Sequence, residues 1–223
     1  KRQAAEQQRV LQERERGQRD EDLAFTARVD KASEQLSAAI AQSAPGVASM
    51  EWARVTDDDL DTASGLGGSV RVGGLSGLEN ESGPLPALAA LFTSRGWFLT
   101  GDRAHQDDLV LSTVCRAVAH VSLRHLRITT FDPRFRGVLG PLAALRGHNG
   151  KSFPPATADA RGLGDALSAV LAQATSNAEL VGSLSAASLI DLWNESSIPE
   201  GTLNLVVVFD YPFGIGEAAD EAL

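Results

Sequence analysis

The first 44 residues have the apolar spacing of one long helix. They are mostly strong helix formers without proline, and Gly17 is their single glycine. From residue 23 onward, apolar side chains recur with a period close to 3.6, which places them on one face of a helix. These are Leu23, Val29, Ala32, Leu36, Ala39 and Ile40. The pattern favours a coiled-coil or bundle helix over a disordered tail, and Pro45-Gly46 ends it.

Short apolar elements separated by polar turns fill the rest of the chain after a linker at 45–68. The predicted strands are 69–72, 96–100, 126–131 and 203–209, and the predicted helices are 84–92, 107–121, 161–174 and 186–193. Uniformly apolar strands that alternate with helices are typical of a mostly parallel sheet flanked by helices. We therefore predict an α/β module over residues 69–223, truncated at its C-terminal end.

The charge of the chain is unevenly divided. There are 20 Lys and Arg against 29 Asp and Glu, a formal net charge of -9. Residues 1–44 contain eight basic and eight acidic side chains, so the remainder carries the whole excess. Because nucleic-acid affinity depends mainly on neutralising phosphates, the acidic part is a poor DNA binder by itself.

Composition favours a cytoplasmic location. The lone Cys115 cannot form an intrachain disulfide, which fits a reducing compartment. No apolar run approaches the roughly 20 residues of a membrane span. Since the sequence begins with Lys1, we expect it to be a piece of a longer polypeptide.

Polar residues follow three of the predicted strands, at 101–103, 132–134 and 210–212. Ligands of parallel sheets bind beyond the carboxyl ends of the strands. The sequence therefore predicts a site, or the remains of one, where these three segments meet.

The first of these segments has the context of a phosphate-binding P-loop, which is a strand, G-x-x-x-x-G-K-S/T and a helix. Gly101 occupies the first glycine position, but Gln106, Asp107 and Asp108 occupy those of the second glycine, the lysine and the hydroxyl. Two carboxylates at these positions would repel a triphosphate. We interpret Gly101 and Asp102 as part of a degenerate nucleotide site.

Two further segments resemble nucleotide-binding motifs. Residues 205–210 resemble a Walker B strand, in which Asp210 would hold magnesium, although a turn-forming role for this aspartate is favoured. Residues 150–152, Gly-Lys-Ser, resemble the end of a P-loop motif. The first glycine of that motif would fall at position 145, which is Leu145, and the Phe-Pro-Pro that follows at 153–155 cannot begin the helix that a P-loop requires. This second segment is interpreted as a surface loop.

Basic side chains surround the predicted strand at 126–131. They are Arg124, Arg127, Arg134 and Arg136. Of these, Arg134 and Arg136 are candidates for contacts with phosphate or a neighbouring subunit, whereas pairing with local carboxylates is the simpler interpretation. The four histidines show no ligand spacing, so no metal site is predicted.

The order of these pieces resembles the FtsK/SpoIIIE-type ATPases, in particular large bacterial members with tandem ATPase modules behind a coiled coil. The resemblance is carried by residues 69–73, 96–101, 126–133 and 205–214, followed by an acidic, alanine-rich helix at 217–223. It implies a RecA-like, P-loop NTPase-type fold. It also implies a first module without a usable Walker A, no catalytic residue in this chain, and ATP and Mg²⁺ bound by a downstream module.

The sequence thus predicts a non-catalytic assembly or docking module of an ATP-driven DNA translocase. Self-association or partner binding would use residues 1–44, and DNA would be contacted through the parent assembly. Two alternatives stay open. One is an ATPase active only through composite sites between subunits, and the other is a coiled-coil interaction scaffold unrelated to motors.

Overall fold

The computed structural model describes residues 2–56, 59, 68–80, 83–92, 96–121, 124–147, 152–195 and 201–216. Within them the α-helices are α1 (Arg2–Ser43), α2 (Arg103–His120), α3 (Ala160–Ser183) and α4 (Leu189–Glu195). The strands are β1 (Ser69–Asn80), β2 (Gly83–Ala90), β3 (Leu126–Phe131) and β4 (Leu203–Val208). Short 3-10 helices cover Gly46–Ala48, Trp52–Arg54 and Gly140–Gly147. The described part of the chain is mixed α/β.

The long N-terminal helix is confirmed as α1, which ends before Pro45. Four of its large apolar side chains are exposed, from 68% for Leu23 to 40% for Leu36. Beyond the helix, Ala44 and Ala48 are buried against Val70 of β1. The end of α1 is therefore anchored to the α/β part, while its apolar stripe faces solvent.

The predicted helix at 84–92 is wrong, because this segment forms β2 and pairs with β1 in an antiparallel hairpin. The predicted strand at 69–72 is correspondingly longer, as β1. Isolated helices of this length are marginal, whereas pairing satisfies the backbone and lets Val70 and Leu88 pack together beside Ala48. Pro84 and Pro86 are compatible with a strand that has an outer edge.

The predicted parallel sheet is confirmed in β3 and β4, which are in register from Leu126 opposite Leu203 to Phe131 opposite Val208. Helices cover both of its faces. On one face, Leu126 and Ile128 pack with Val114 of α2 and Trp193 of α4. On the other face, Phe131 packs with Leu163 and Leu167 of α3. The core thus lies on both sides of β3 and β4.

The predicted strand at 96–100 is wrong. This segment has no regular secondary structure, and Phe98 is 72% exposed. It is held at one point by Trp97, whose Nε1 donates a hydrogen bond to the carbonyl of Ala90 at 2.7 Å. A strand needs a partner, and no described strand pairs with this segment.

The other predicted helices exist with different bounds. α2 begins at Arg103, whereas the predicted start was 107. Asp107 and Asp108 were therefore expected in the first turn of the helix, and they lie in its second turn. α3 begins at Ala160 and continues to Ser183, well beyond the predicted end at residue 174. α4 begins at Leu189 instead of 186. None of the described helices combines the length and apolarity needed to cross a bilayer.

Candidate functional site

Two of the three polar segments, 101–103 and 210–212, come into direct contact, and Arg136, two residues beyond the third segment, joins them. The guanidinium Nη2 of Arg103 lies 3.0 Å from Oδ1 of Asp210, and Nη1 of Arg136 lies 3.5 Å from the same oxygen. Arg136 also forms an ion pair with Asp107 on α2. We call these four residues (Arg103, Asp107, Arg136 and Asp210) the strand-end cluster. It joins two cations to two anions at the carboxyl end of β4.

The loop after β3 places Arg136 in this cluster. Buried Asp132 accepts hydrogen bonds from the backbone N–H groups of Arg136, at 2.9 Å, and Gly137, at 2.8 Å. Gly137 has a φ of +67°, which turns the chain sharply. The guanidinium of Arg136 lies 5.1 Å from the centre of the Phe209 ring. This side chain is therefore held by its loop, by carboxylates and by an aromatic face.

The inner pair of the cluster, Asp210 and Arg136, is shielded from water. The side chains of Asp210 and Arg136 are 8% and 12% exposed, whereas that of Arg103 is 63% exposed. A buried carboxylate is costly unless it is paired. Arg136 is thus the inner partner of Asp210, and Arg103 is the outer one.

Asp102 lies beside the cluster and caps α2. Its carboxylate accepts hydrogen bonds from the backbone N–H groups of Ala104, at 3.0 Å, and His105, at 3.2 Å. The hydrogen bonds from the backbone and side chain of His105 lower the pKa of Asp102. The N–H groups at a helix N-terminus are where a phosphate would bind, and here a side-chain carboxylate occupies them. Gly101, before it, has a φ of +119°, which favours glycine.

Arg134 does not join the cluster. Its guanidinium lies 4.2 Å from the centre of the Phe213 ring, in the turn after β4. Of the five candidate residues, Asp210 and Arg136 are brought into direct contact. Gly101 and Asp102 lie beside the cluster, immediately before α2. Arg134 lies apart from it. Sequence reasoning did not single out Arg103, although its place in a strand-end segment was a signal for it.

A cavity of about 630 Å³ adjoins the cluster, between α2, β4 and residues 96–100. Three polar side-chain atoms of its lining residues are buried and have no hydrogen-bond partner among the described residues. They are Thr113 Oγ1, Asn204 Oδ1 and Asp210 Oδ2. The volume falls in the range of small-ligand sites, which is roughly 300–1,000 Å³.

The strand-end cluster does not fit a magnesium ion. Mg²⁺ needs a near-octahedral set of oxygens, and the strand-end carboxylate of Asp210 already contacts two guanidinium groups. In the part of the chain that the structure describes, no three His, Cys, Asp or Glu side chains are placed to hold a metal ion. The Gly-Lys-Ser segment and the acidic helix at 217–223 fall mostly or wholly outside the described residues.

No protein-family description, curated protein or solved structure matches this chain. The resemblance to FtsK/SpoIIIE-type ATPases therefore stays a prediction from the sequence.

Proposed function

We propose that this chain is a non-catalytic assembly or docking module of an FtsK/SpoIIIE-like DNA translocase, with a RecA-like fold. The observation that carries the proposal is the pairing of Asp210 with Arg103 and Arg136 of the same chain. Asp210 follows β4 where a Walker B strand would present its magnesium ligand. A metal ion bound there would have to displace two cations that are already in place.

The phosphate side of the site supports the same function. Asp102 accepts hydrogen bonds from the N–H groups of Ala104 and His105 in the first turn of α2, and Asp107, at the position of the P-loop lysine, pairs with Arg136. A triphosphate would therefore meet carboxylates where an active site offers amides and a lysine. The parallel pair of β3 and β4, covered by helices on both faces, supports the RecA-like assignment.

We expect the full chain to bind Mg-ATP more weakly than about 10 μM. The physical reason is that both the metal and the phosphate positions are filled by groups of the protein. Isothermal titration calorimetry with ATP, with and without Mg²⁺, measures this. Asp210→Asn is the matched control, because it removes the carboxylate at the position where a Walker B strand presents its magnesium ligand. The proposal would be contradicted if the unaltered chain bound ATP with a magnesium-dependent dissociation constant below 10 μM and the Asp210→Asn variant lost this binding.

The composite-site alternative has less support than the docking module. It needs an arginine that reaches a neighbouring subunit. Arg136 is largely buried and contacts Asp107 and Asp210 of its own chain, and Arg134 lies on Phe213.

The assembly role of the module rests on α1. Phe25, Val29, Ala32, Leu36 and Ala39 recur at alternating spacings of four and three, which is the seam of a coiled coil. Phe25 is 61% exposed and Val29 is 48% exposed. A seam of exposed apolar side chains on a 42-residue helix is well suited to packing against a second helix of the same kind.

We expect the double variant Val29→Glu/Leu36→Glu to convert the full chain from an oligomer into a monomer. Two charges in the seam would have to be buried in the helix interface, at a cost of several kcal/mol. Ala27→Glu/Ser37→Glu is the matched control, because it adds the same charge at exposed positions outside the seam. Light scattering after size exclusion gives the mass. A monomeric original chain, or equal loss of association in both variants, would contradict this role for α1.

A further inference from the structure

The apolar seam of α1 continues towards the N-terminus with polar residues at the same spacing. Its apolar members are Phe25, Val29, Ala32, Leu36 and Ala39, which alternate at steps of four and three residues. One step before Phe25 the seam position is Asp22, and the next is Gln18. All of these side chains are exposed. The face that α1 offers to a partner is therefore apolar in one half and polar in the other.

A second helix is the partner that this seam fits. Spacings of four and three place each seam residue of one helix in contact with the other. From Phe25 to Ala39 the seam is about 21 Å long, so a helical partner needs roughly 15 residues. The longest stretch of this sequence outside the described ranges, 60–67, has eight residues. The helix with the matching length and spacing is α1 itself, in a second copy of the chain.

Charge is divided along α1 in a way that opposes a parallel pair. Residues 1–19 contain six basic and three acidic side chains, whereas residues 20–44 contain two basic and five acidic ones, which gives net charges of +3 and -3. A parallel pair in register would place each part beside its own copy. Asp22 would then face Asp22 of the second copy across the seam, and Arg14 would flank Arg19. Like charges placed this close disfavour the parallel orientation.

An antiparallel pair avoids these contacts and keeps the apolar seam together. When the pair is centred between residues 30 and 31, Phe25 lies opposite Leu36, and Val29 lies opposite Ala32. Asp22 then lies opposite an alanine, at position 39, and not opposite a second carboxylate. The large apolar residues of the seam thus each have an apolar neighbour in the second copy.

The same alignment brings opposite net charges together. Gly17 lies opposite Ala44, so residues 1–16 extend past the second α1 towards the part of that copy that follows its helix. Residues 1–16 contain five basic and three acidic side chains, and residues 45–223 contain 12 basic and 21 acidic ones. The antiparallel orientation therefore has attraction where the parallel one has repulsion.

We propose that α1 pairs antiparallel with α1 of a second copy over residues 18–43. This inference rests on the proposed association through α1, and it stands without the translocase assignment. The paired segment is about four heptads long, which is sufficient for a coiled coil. The two Ala44 residues would lie about 40 Å apart along the pair, so the α/β parts would lie at its opposite ends. The pair would join two modules at a distance and would not hold them side by side.

Disulfide formation between two single-cysteine variants tests the orientation. Gln18→Cys and Ser43→Cys, each combined with Cys115→Ser to remove the native cysteine, alter neither a charge nor an apolar seam residue. In the antiparallel pair, residue 18 lies opposite residue 43 of the second copy, whereas the two copies of residue 18 are about 37 Å apart. A disulfide needs α-carbons about 4.4–6.8 Å apart, so only the mixed pair can form one. After an equal mixture is oxidised, intact mass spectrometry distinguishes the mixed disulfide from the two symmetric ones.

We expect at least about five times as much mixed disulfide as symmetric disulfides together. Ala24→Cys and Ser37→Cys, in the same background, are the matched control pair. Residues 24 and 37 also lie opposite each other along the antiparallel pair, but they are exposed positions outside the seam. Little disulfide of either kind should form between them.

Three results would overturn the inference. The first is a symmetric disulfide of Gln18→Cys that equals or exceeds the mixed one, which would show a parallel or unordered pair and leave the assembly role of α1 intact. The second is equal disulfide formation by the seam pair and the control pair, which would show random collisions. The third is a monomeric mass for the unaltered chain at roughly 100 μM by light scattering, which would contradict the assembly role of α1 as well.

Discussion

Replacing Arg136 by Gln is expected to lower the free energy of unfolding by about 3–5 kcal/mol. Arg136 is the inner cation of the strand-end cluster and pairs with both Asp107 and Asp210. Glutamine keeps much of the side chain but not the charge. The carboxylate of Asp210, 8% exposed, would then depend on Arg103, which is largely in solvent. Urea unfolding followed by tryptophan fluorescence measures the change.

Two further variants separate the buried charge from other effects. Arg134→Gln makes the same substitution at an exposed arginine two residues away, and its expected cost is within about 1 kcal/mol. In the double variant Arg136→Gln/Asp210→Asn the uncompensated carboxylate is gone, so part of the loss should be recovered. Equal costs for Arg134→Gln and Arg136→Gln would show that the cluster does not stabilise the fold.

The elements that sequence reasoning predicted well are those whose signal is local. β3 was predicted with the bounds it has, because its six residues form an almost wholly buried run between polar turns. β4 differs by one residue, because its run of mostly apolar residues from Leu203 to Phe209 ends at a polar turn, although most of the strand is only half-buried. α1 was predicted from helix propensity and spacing over 42 residues, a length at which many small preferences add up.

The elements that were predicted wrongly depend on partners distant in the chain. The segment 84–92 has enough alanine and leucine for a helix, yet it is a strand because β1 is available to pair with it. The segment 96–100 has the composition of a buried strand, yet no described strand pairs with it. Apolar composition shows that a segment can be buried, but not which neighbour it finds.

The boundary of α2 shows a different kind of error. The apolar periodicity of this helix begins late, and a start at Asp107 followed from it. The helix instead begins after Asp102, an N-cap residue whose preference for that position is a local signal. Giving the cap more weight than the periodicity would have placed the start correctly, and it would have moved Asp107 into the second turn.

The candidate site was predictable in its place but not in its pairing. Three polar strand ends were expected to meet, and Asp210 and Arg136 do meet there. These two residues are 74 positions apart, and Arg103 and Asp210 are 107 positions apart. Such pairs follow only from the way the strands and α2 are arranged in space. The sequence showed that charges would collect at this edge, and the structure shows that they neutralise one another.

A second buried arginine, Arg116, connects α2 to the segment that follows α1. It is 3% exposed, and its Nη1 donates a hydrogen bond to the Val47 carbonyl at 2.5 Å. Its guanidinium lies 4.4 Å from the centre of the Trp52 ring. Burial lowers the pKa of Arg116 to about 10, which shows that the protein pays a desolvation cost to keep this charge. The contacts to Val47 and Trp52 must therefore more than offset that cost if Arg116 stabilises the fold.

We expect Arg116→Ala to lower the free energy of unfolding by about 2–4 kcal/mol, measured by urea unfolding. The Val47 carbonyl would lose its donor, the Trp52 ring would lose its cation, and a void would form beside α2. Relief of the desolvation cost keeps the total below the sum of these losses. Arg54→Ala is the matched control: Arg54 is exposed, and its loss should cost less than about 0.5 kcal/mol. Equal stability of the Arg116→Ala and Arg54→Ala variants would show that the contacts of Arg116 only balance the cost of burying it. The position of residues 46–54 would then depend on the packing of Ala44, Ala48 and Val70.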